Sequence, residues 1–369
     1  MAVQCVISGT GLFTPKESIS NEELVASFNA HIDLEAEALS DEERLKAYSS
    51  EAFIEKASGI KRRYVMNKSG ILDPYKLRPE LSERNNSELS IQAEMAVKAA
   101  KQALETANKQ ASDIDTVIVA CSNLQRAYPA IAIEVQAALG IEGFAYDMNV
   151  ACSSATFGIA NAVATVQSGM ARSVLVLNPE ICSGHLEFKD RDCHFIFGDA
   201  CTAIVVEAEQ NVSAARYFKI LGTQLNTEYS NNIRNNAGFL NRTAPEGLDA
   251  RDKLFMQNGR KVFKEVCPMA AQHIEDHVKA LNIDNTAVNR LWLHQANLSM
   301  NELIAKRFYG RKPEVKEAPV ILDTYANTSS AGSVIAFHLH SDDLATGEKG
   351  VICSFGAGYS IGSVVLEVC

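Results

Sequence analysis

The chain has 369 residues, of which 47% are hydrophobic and 22% charged, and its formal net charge is -10. This length allows two core-forming units, and the acidic balance leaves no basic surface for nucleic acid or an anionic membrane. The sequence contains no long apolar run, no signal peptide and no C-x-x-C pair among its scattered cysteines, so we expect a cytoplasmic protein with reduced thiols.

Residues 1–210 are predicted to form a first half in which strands and helices alternate. Val3 to Gly9 has the pattern of a strand, and Gly9-Thr10-Gly11 lacks the third glycine of a dinucleotide-binding loop, so we interpret it as a turn. Residues 34–58 and 67–86 are interpreted as inserted segments that cap the body of the fold. The other predicted elements are helices over Asn21–Phe28 with Asn21 as cap, Ser90–Thr106 and Pro129–Leu139, and strands over Thr116–Cys121, Ser173–Leu177 and from Phe197.

The stretch from Phe144 to Gly169 places one cysteine, Cys152, between a strand and a helix. The strand, Phe144–Val150, is predicted to be buried. The helix from Ser153 is predicted to have one apolar face made of Phe157, Ala160, Val163 and Ala164. Because backbone N–H groups at a helix N-terminus lack partners and carry partial positive charge, a thiol there should ionise readily. Cys152 is therefore a candidate nucleophile, and the alternative is an inert buried cysteine.

Residues 211–369 are predicted to repeat this plan. The predicted elements are helices over Arg260–Leu281 and Asn297–Phe308 and after Ala326, and strands over Val288–Leu293, Val320–Leu322, Gly350–Cys353 and from Phe355. FGAGYSIGSVVLEV matches the earlier FGDACTAIVVEA, and ANTSSA matches ACSSA at the same place within its half. This pattern indicates an internal duplication that brings the loops bearing Cys152 and Asn327 face to face.

His294 lies where an apolar strand ends and a helix begins, a position at which ligand groups gather in open α/β sheets. The alternative interpretation is that His294 caps the helix that follows. The strings NVACSSA, LHQAN, YANTSSA and FGAG, in this order, resemble the motifs of β-ketoacyl-acyl-carrier-protein synthase III, a thiolase-fold condensing enzyme. The resemblance covers nearly the whole chain outside the two inserted segments. It implies an α/β fold with duplicated α, β, α, β, α layers, and a homodimer.

The resemblance implies a catalytic set of Cys152, His294 and Asn327, with no metal or organic cofactor. Such an enzyme transfers an acyl group from acyl-CoA to the cysteine and then condenses it with malonyl-acyl-carrier-protein, in a ping-pong decarboxylative Claisen reaction of fatty-acid synthesis. The backbone N–H groups of Cys152 and Ala357 would form the oxyanion hole. His294, as a neutral imidazole, and Asn327 would donate hydrogen bonds to the enolate formed by decarboxylation.

The resemblance also implies substrate contacts, although the sequence departs from the family there. Phe53 and Ala57 stand where family members carry a tryptophan and an arginine that hold the CoA adenine, whereas Arg191 matches a family arginine near the nucleotide. Lys264 matches a basic residue for carrier-protein docking, and Ser299 replaces another. These are the expected CoA and carrier-protein contacts.

Tyr128 matches the residue that controls acyl chain length in the family, on a loop, residues 123–131, that lines the partner subunit's pocket. Together with the inserted segments, which would cap a longer tunnel, this residue favours a medium- or long-chain acyl-CoA starter over acetyl-CoA.

Other functions remain open at this point. A thiolase needs a second catalytic cysteine, but Cys353 is one residue out of place on its strand and is interpreted as structural. A head-to-head enzyme that joins two fatty acyl thioesters without decarboxylation needs a base, for which Glu134 is the nearest candidate. A non-catalytic acyl-binding partner subunit is the third alternative. His273 and His277 lack a third metal ligand, and we interpret them as a solvated helix face.

Overall fold

The structure is a computed structural model that describes residues 3–35 and 40–369. These residues contain thirteen β-strands and ten α-helices. The strands are β1 (Cys5–Phe13), β2 (Glu17–Ser20), β3 (Arg62–Val65), β4 (Thr116–Ala120), β5 (Phe144–Met148), β6 (Ser173–Ile181), β7 (Asp199–Ala208), β8 (Phe218–Ser230), β9 (Ile233–Arg234), β10 (Met256–Gln257), β11 (Val288–Leu293), β12 (Lys349–Gly356) and β13 (Gly358–Val368). The helices are α1 (Asn21–Glu35), α2 (Asp41–Ala47), α3 (Glu51–Ser58), α4 (Ile91–Ala107), α5 (Ile131–Leu139), α6 (Ser154–Gln167), α7 (Gly259–Ala280), α8 (Leu298–Tyr309), α9 (Leu322–Tyr325) and α10 (Ala331–Leu339).

Nine strands form one mixed sheet in the order β11-β12-β13-β8-β1-β7-β6-β4-β5. The pairs β4–β5, β4–β6 and β11–β12 are parallel, and the remaining neighbours are antiparallel. The first strands of the two predicted halves, β1 and β8, pair with each other near the centre. The sheet wraps around α6 and α10, because each of these helices contacts strands from both sides of that central pair.

Three hydrophobic cores arrange these elements in five layers. Helices α4 and α5 cover the outer face of β4, β6 and β7, and helices α7 and α8 cover the outer face of β11, β12 and β13. Between the two parts of the sheet, α6 and α10 are buried against inward-facing residues such as Ile118, Ile204, Ile352 and Val364. The order α, β, α, β, α confirms the predicted fold class. Within the described ranges, no helix combines the length and hydrophobicity needed to cross a membrane.

The inserted segments form a smaller fourth core beside the main body. Ile54, Ile71 and Leu77 from these segments pack together with Ile19 and Val65 against Phe188 and its neighbours. Of residues 34–58, residues 36–39 lie outside the described residues, and the rest belongs to the end of α1, to α2 and to α3. The described residues 67–86 contain no helix or strand. This core places α3 at the edge of the main body.

The turn predicted at Gly9-Thr10-Gly11 is wrong, because all three residues lie inside β1. A Cβ atom at Gly11 would lie 2.0 Å from the carbonyl oxygen of Ala99, and one at Gly9 would lie 2.3 Å from that of Ala103. Both carbonyl groups belong to α4. The glycines therefore allow the backbones of β1 and α4 to approach closely, which is a packing role.

The start and length of α1 differ from the prediction. The helix runs to Glu35, and its cap is Ser20 instead of Asn21. The Ser20 hydroxyl accepts the Glu23 N–H at 3.0 Å, and the Glu23 carboxylate accepts the Ser20 N–H at 2.9 Å. The Asn21 side chain instead donates to the Ile60 carbonyl at 2.8 Å, so it joins α1 to the strand region that follows α3.

Two predictions around Cys152 are also wrong. Strand β5 is not buried, because it forms one edge of the sheet, and Phe144 is 36% exposed. The buried residues of α6 include Ala155, Ile159 and Ala162, whereas Ala164 is exposed. The helix lies between two parts of the sheet, so its buried surface is wider than one amphipathic face and includes small polar residues.

Two further differences concern the second half. Residues 320–322 form no strand, since α9 begins at Leu322 and β11 is the last strand on that side. His273 and His277 lie on the buried face of α7, not on a solvated one. The His277 ring nitrogen Nδ1 is 2.7 Å from the Ser363 hydroxyl, and His273 Nε2 is 3.2 Å from the Gln224 carbonyl, because α7 packs this face against β13 and β8.

Candidate active site

A cavity of about 640 Å³ lies where the loops of the two halves meet, and Cys152, His294 and Asn327 all line it. The three residues that the motifs predicted to act together are thus brought together. The cavity wall is mostly apolar and contains Phe195, Ile196, Phe197, Phe255, Val262, Phe263, Val266, Met300 and Phe355. Exposed lining residues, including Ala57, Asp192 and Arg260, mark its opening to solvent.

Cys152 sits in a short 3-10 turn, Ala151–Ser153, that leads directly into α6. The preceding Ala151 has a φ of 47°, in the left-handed region. The Ser329 hydroxyl donates to the sulfur, with its Oγ at 3.4 Å, and the backbone N–H groups of Cys152 and Ala357 lie near enough to lower the pKa of the thiol. A Cβ atom at Gly356 would lie 2.6 Å from the Cys152 Cβ, so only glycine fits beside the thiol.

Burial raises the pKa of the Cys152 thiol from its ordinary value of 9.0 to about 11. The hydrogen bond from Ser329 and the Ala357 N–H oppose this rise, whereas the nearby negative charge of Glu180 adds to it. The backbone N–H groups near the helix N-terminus do lower the pKa of this thiol, as expected, but burial raises it by more. Loss of hydration outweighs the donors around the sulfur.

His294 follows the last residue of β11, and its backbone N–H donates to the Cys353 carbonyl at 2.8 Å. The residue is 2% exposed, and burial lowers the pKa of its imidazole to about 4, while a hydrogen-bonding contact with the Ser329 backbone opposes this shift. The ring is therefore neutral near pH 7 and carries one N–H donor. It packs edge-on against Phe355, with 5.2 Å between the ring centroids.

Asn327 is held by its backbone and by its side-chain oxygen. Its N–H donates to the Ile196 carbonyl at 3.0 Å, and its carbonyl accepts the Gly198 N–H at 3.1 Å. Its Oδ1 accepts the Ser329 N–H at 2.8 Å, which leaves the amide NH₂ group to donate. The residue before it, Ala326, has a φ of 55°, the counterpart of Ala151 before Cys152.

Phe53 and Arg191, the predicted CoA contacts, are neighbours. The Arg191 guanidinium lies 4.1 Å from the centroid of the Phe53 ring, and its Nε donates to the Tyr48 carbonyl at 2.8 Å. Phe53 and Ala57 line the cavity, whereas Arg191 does not. One face of the Phe53 ring is thus covered by Arg191.

The remaining predicted site residues lie outside the cavity of their own chain. Lys264 is exposed on α7, one turn after Arg260. Tyr128 is 84% exposed. Glu134, the candidate base of the head-to-head alternative, is engaged by the Arg126 guanidinium and the Ser90 N–H. Cys353 is buried in the outer core with residues of α7 and α8, which agrees with its structural interpretation.

Four residues that contribute to the site were not predicted from the sequence. Ser329, which contacts the thiol, was hidden inside the YANTSSA string. Glu180 is buried near the end of β6, three residues beyond the predicted strand Ser173–Leu177, so no sequence signal marked it. Ile233 and Phe255, beside the small β9–β10 sheet, line the cavity from a stretch whose polar composition predicted no element.

The cysteines differ sharply in exposure. All nine lie within the described residues and are free thiols. Seven are buried, and the two that are partly exposed are Cys152 and Cys369.

Comparison with known proteins agrees with this geometry. The family description 3-Oxoacyl-[acyl-carrier-protein (ACP)] synthase III matches residues 146–228, and that of its C-terminal part matches residues 278–368. A Pseudomonas aeruginosa protein named beta-ketodecanoyl-[acyl-carrier-protein] synthase is 62% identical over 346 residues, which are 92% of this chain and 99% of that protein.

Two solved structures share the fold. The 3-oxoacyl-[acyl-carrier-protein] synthase III from Aquifex aeolicus has a TM-score of 0.77 at 24% identity, covering 98% of this chain and 99% of that one. OleA from Xanthomonas campestris, solved with lauric acid and lauroyl-CoA, has a TM-score of 0.77 at 16% identity and covers 100% of both chains.

The Pseudomonas relative shares well over half of its residues with this chain across nearly its whole length, which is far more than a shared fold requires. The motifs that carry Cys152, His294 and Asn327 lie within or beside the matched ranges. The chain therefore belongs to the 3-oxoacyl-[acyl-carrier-protein] synthase III family, the thiolase-fold condensing enzymes of fatty-acid biosynthesis that the motifs predicted.

Proposed function

We propose that this enzyme transfers an octanoyl group from CoA to Cys152 and condenses it with malonyl-acyl-carrier-protein to give a β-ketodecanoyl product. The observation that carries the reaction is the meeting of Cys152, His294 and Asn327 in one largely apolar cavity. The name of the 62% identical relative supports the chain length. A decanoyl chain is an octanoyl chain extended by the two carbons that a malonyl group keeps after it loses carbon dioxide.

In the first half-reaction, the Cys152 sulfur replaces CoA on the acyl group, and the thiol proton leaves with CoA. The carbonyl oxygen gains negative charge as the sulfur attacks. The N–H groups of Cys152 and Ala357, which lie near the sulfur and lower its pKa, are the proposed oxyanion hole. In comparable sites each such donor contributes about 3 kcal/mol to the transition state.

In the second half-reaction, malonyl-acyl-carrier-protein loses carbon dioxide, and negative charge develops on its thioester oxygen. The neutral His294 ring and the Asn327 amide, whose oxygen is occupied by Ser329, donate to that oxygen. The carbanion then attacks the acyl carbonyl, and Cys152 leaves as a thiolate that takes up a proton. The apolar wall excludes water that would otherwise hydrolyse the acyl-enzyme.

Several surface residues are proposed to hold the substrates. Phe53 and Arg191 bind the nucleotide end of CoA at the opening of the cavity. Lys264, together with the neighbouring Arg260, docks an acidic carrier protein.

We further propose a homodimer in which Tyr128 lines the acyl pocket of the partner subunit. Tyr128, Ile133 and Phe144 are large apolar residues that remain exposed. Ile133 and Phe144 belong to α5 and to the edge strand β5, which contact each other. Apolar side chains exposed together at an unpaired sheet edge are typical of an interface between subunits.

Intact-protein mass after mixing with acetyl-, octanoyl- and dodecanoyl-CoA tests the first half-reaction. We expect octanoyl-CoA to add its acyl mass fastest to the wild type and to add nothing to Cys152→Ala. Malonyl-acyl-carrier-protein should then remove the added mass, and His294→Ala should acylate but not discharge. Preference for acetyl-CoA would contradict the chain length, and no acylation by any donor would favour a non-catalytic acyl-binding subunit.

The head-to-head alternative predicts a product from two acyl thioesters without malonyl-acyl-carrier-protein. It requires a free carboxylate as base, and Glu134 is held by Arg126 and the Ser90 N–H. We therefore expect octanoyl-CoA alone to give only the acyl-enzyme. A condensed product from octanoyl-CoA alone would favour this alternative.

A further inference from the structure

Glu180 is a carboxylate that is 1% exposed and lies behind Cys152 near the end of β6. Five donors contact it: four from two serines, and the Cys182 thiol, whose sulfur lies 3.7 Å from Oε2. Its Oε1 accepts the Ser122 N–H at 2.9 Å, the Ser330 N–H at 3.2 Å and the Ser330 hydroxyl, and its Oε2 accepts the Ser122 hydroxyl at 2.6 Å. Burial raises the pKa of the Glu180 carboxyl, and the hydrogen bonds from Ser122 and Ser330 oppose this rise because they favour the ionised form.

Ser330 and Ser122 belong to two different loops, one beside Asn327 and one that leads to Tyr128. Ser330 ends the turn that starts at Asn327, and between them lies Ser329, which donates to the Cys152 sulfur. Ser122 begins the loop that carries Tyr128, and its carbonyl accepts the Asn149 amide at 2.8 Å, three residues before Cys152. Glu180 therefore joins the turn of the second half to the loops of the first.

We propose that Glu180 is a positioning residue whose carboxylate fixes the Asn327–Ser330 turn against Ser122, so that the Asn327 amide and the Ser329 hydroxyl stay directed at Cys152. We call the hydrogen bonds that join Ser122 to Ser330 through Glu180 the Glu180 bridge. The proposal rests on the proposed function, because the bridge would position groups that act in the two half-reactions. Glu180 itself touches neither the substrate nor the sulfur.

The carboxylate also acts on the thiols around it. It raises the pKa of Cys152, and the other thiols that it affects are Cys121, Cys182 and Cys201. Asp199 adds negative charge at Cys182, and Asp147 adds it at Cys121. The charge of Glu180 disfavours the Cys152 thiolate, so activation of the thiol does not explain the presence of Glu180 near it. The hydrogen bonds of Glu180 to Ser122 and Ser330 offer another explanation.

Two substitutions of Glu180 separate the effect of its hydrogen bonds from the effect of its negative charge. Glu180→Gln keeps an oxygen that can accept both backbone N–H groups and the Ser330 hydroxyl, and its NH₂ group can donate to the Ser122 hydroxyl, so the bridge remains while the charge is lost. Glu180→Ala loses both. Glu207→Gln is the matched control. Glu207 is a second fully buried carboxylate, which lies on β7 and does not line the cavity, and its Oε2 is 2.9 Å from the Lys109 ammonium.

The experiment measures the rate of Cys152 alkylation by iodoacetamide against pH, kcat and KM for malonyl-acyl-carrier-protein decarboxylation, and Tm. We expect the alkylation profile of Glu180→Gln to move about one unit toward lower pH, since a neighbouring like charge is removed. We expect Glu180→Gln to keep most of kcat, and Glu180→Ala to lose about tenfold to a hundredfold with little change in KM, as a displaced catalytic group does. Glu207→Gln should lower Tm and leave the profile and kcat unchanged.

Three results would overturn the proposal: a folded Glu180→Ala with wild-type kcat, a Glu180→Gln as impaired as Glu180→Ala, or an unshifted profile in Glu180→Gln. If Glu180→Ala fails to fold, Ser330→Ala removes the same contact from the other side, and normal kcat in that variant would also refute the bridge. Alkylation uses no substrate. A wild type that does not decarboxylate malonyl-acyl-carrier-protein would thus refute the proposed function, while the profile would still decide whether Glu180 carries its charge.

Discussion

The Cys152 thiol is neutral in the resting enzyme. Because burial raises its pKa to about 11, only a small fraction of the thiol is ionised at pH 7. A neutral thiol reacts slowly with oxidants, which act on the thiolate. The N–H groups of Cys152 and Ala357 are in place before any charge forms, so they stabilise the charge that develops once a thioester is bound. The site thus protects its nucleophile at rest and favours charge only during the reaction.

The Ser329 hydroxyl is the side-chain donor that favours the Cys152 thiolate, at 3.4 Å from the sulfur. In Ser329→Ala we expect the pH profile of Cys152 alkylation to move toward higher pH by about half a unit to one unit, because a hydrogen bond to the charged form is lost. Ser333→Ala is the control, since the Ser333 hydroxyl contacts Ser354 at 2.9 Å and not the thiol. A profile shifted by both variants, or by neither, would contradict this assignment.

The meeting of Cys152, His294 and Asn327 could be predicted because short motifs placed each residue at the end of a predicted strand or the start of a helix. Their protonation states could not be predicted. The raised pKa of Cys152 and the lowered pKa of His294 arise from burial by segments distant in sequence, such as the Phe355 strand, and burial of this kind exists only in the folded molecule.

At the scale of elements, the close contact of β1 with α4 depends on glycine. Gly11→Ala would place its Cβ 2.0 Å from the Ala99 carbonyl oxygen. We expect it to lower the free energy of unfolding by about 3 kcal/mol or more, since backbone must move on both elements. Gly184→Ala is the control, because its nearest neighbour would be Ile181 at 3.9 Å. Denaturant unfolding of both variants checks the difference, and equal midpoints would refute the packing argument.

Helix α7 carries the proposed carrier-protein contact. In Lys264→Glu we expect KM for malonyl-acyl-carrier-protein to rise about threefold to tenfold, as for the reversal of one exposed charge, with KM for octanoyl-CoA unchanged. Lys306→Glu makes the same charge change on the exposed side of α8. Steady-state kinetics at low salt measures both variants. Equal effects of the two substitutions would mean that net charge, and not the α7 surface, controls docking.

Elements with a clear apolar period could be predicted. Helices α4, α7 and α8 and strand β11 begin and end within one or two residues of their predicted bounds. Strand β8 was missed because its second part is polar and exposed, so no alternation marks it. The strand expected at residues 320–322 is a helical turn, although its apolar residues favoured a strand. Whether β8 and residues 320–322 form strands depends on the strands available to pair with them. The local sequence pattern carries no information about those partners.

At the scale of the whole molecule, stability should fall on acidification before most carboxylates titrate. Burial lowers the pKa of His185, His277 and His294 to about 4 and that of His194 to about 3, from an ordinary value of 6.5. Below pH 6.5 the unfolded chain therefore binds protons that the folded chain does not, and the folded state loses roughly 1.4 kcal/mol per pH unit for each such histidine. Asp199, whose pKa burial raises to about 6, acts in the opposite sense, as do Asp147 and Glu180, whose pKa values burial also raises. These are three groups against seven histidines whose pKa burial lowers, since His273, His338 and His340 add to the four above.

Urea unfolding at pH 7.5, 6 and 5 checks this expectation. The free energy of unfolding should decrease at each step. In a His277→Gln variant the decrease should be smaller, because that side chain can still contact the Ser363 hydroxyl but binds no proton. Stability that is constant or increases between pH 7.5 and 5 would contradict the assignment of these histidines as buried and neutral.

Because the nine thiols differ in exposure, alkylation of the native enzyme can measure the fraction of active sites in which Cys152 is free. Seven cysteines are buried, so a small alkylating reagent has two sites in the native protein, Cys152 and the C-terminal Cys369, provided that labelling is run to completion at a pH where Cys152 forms its thiolate. An acyl group on Cys152 would block one of them and leave the other as an internal standard. The ratio of the two labels would then report the acylated fraction of any preparation, from a single mass spectrum and without a chromogenic substrate.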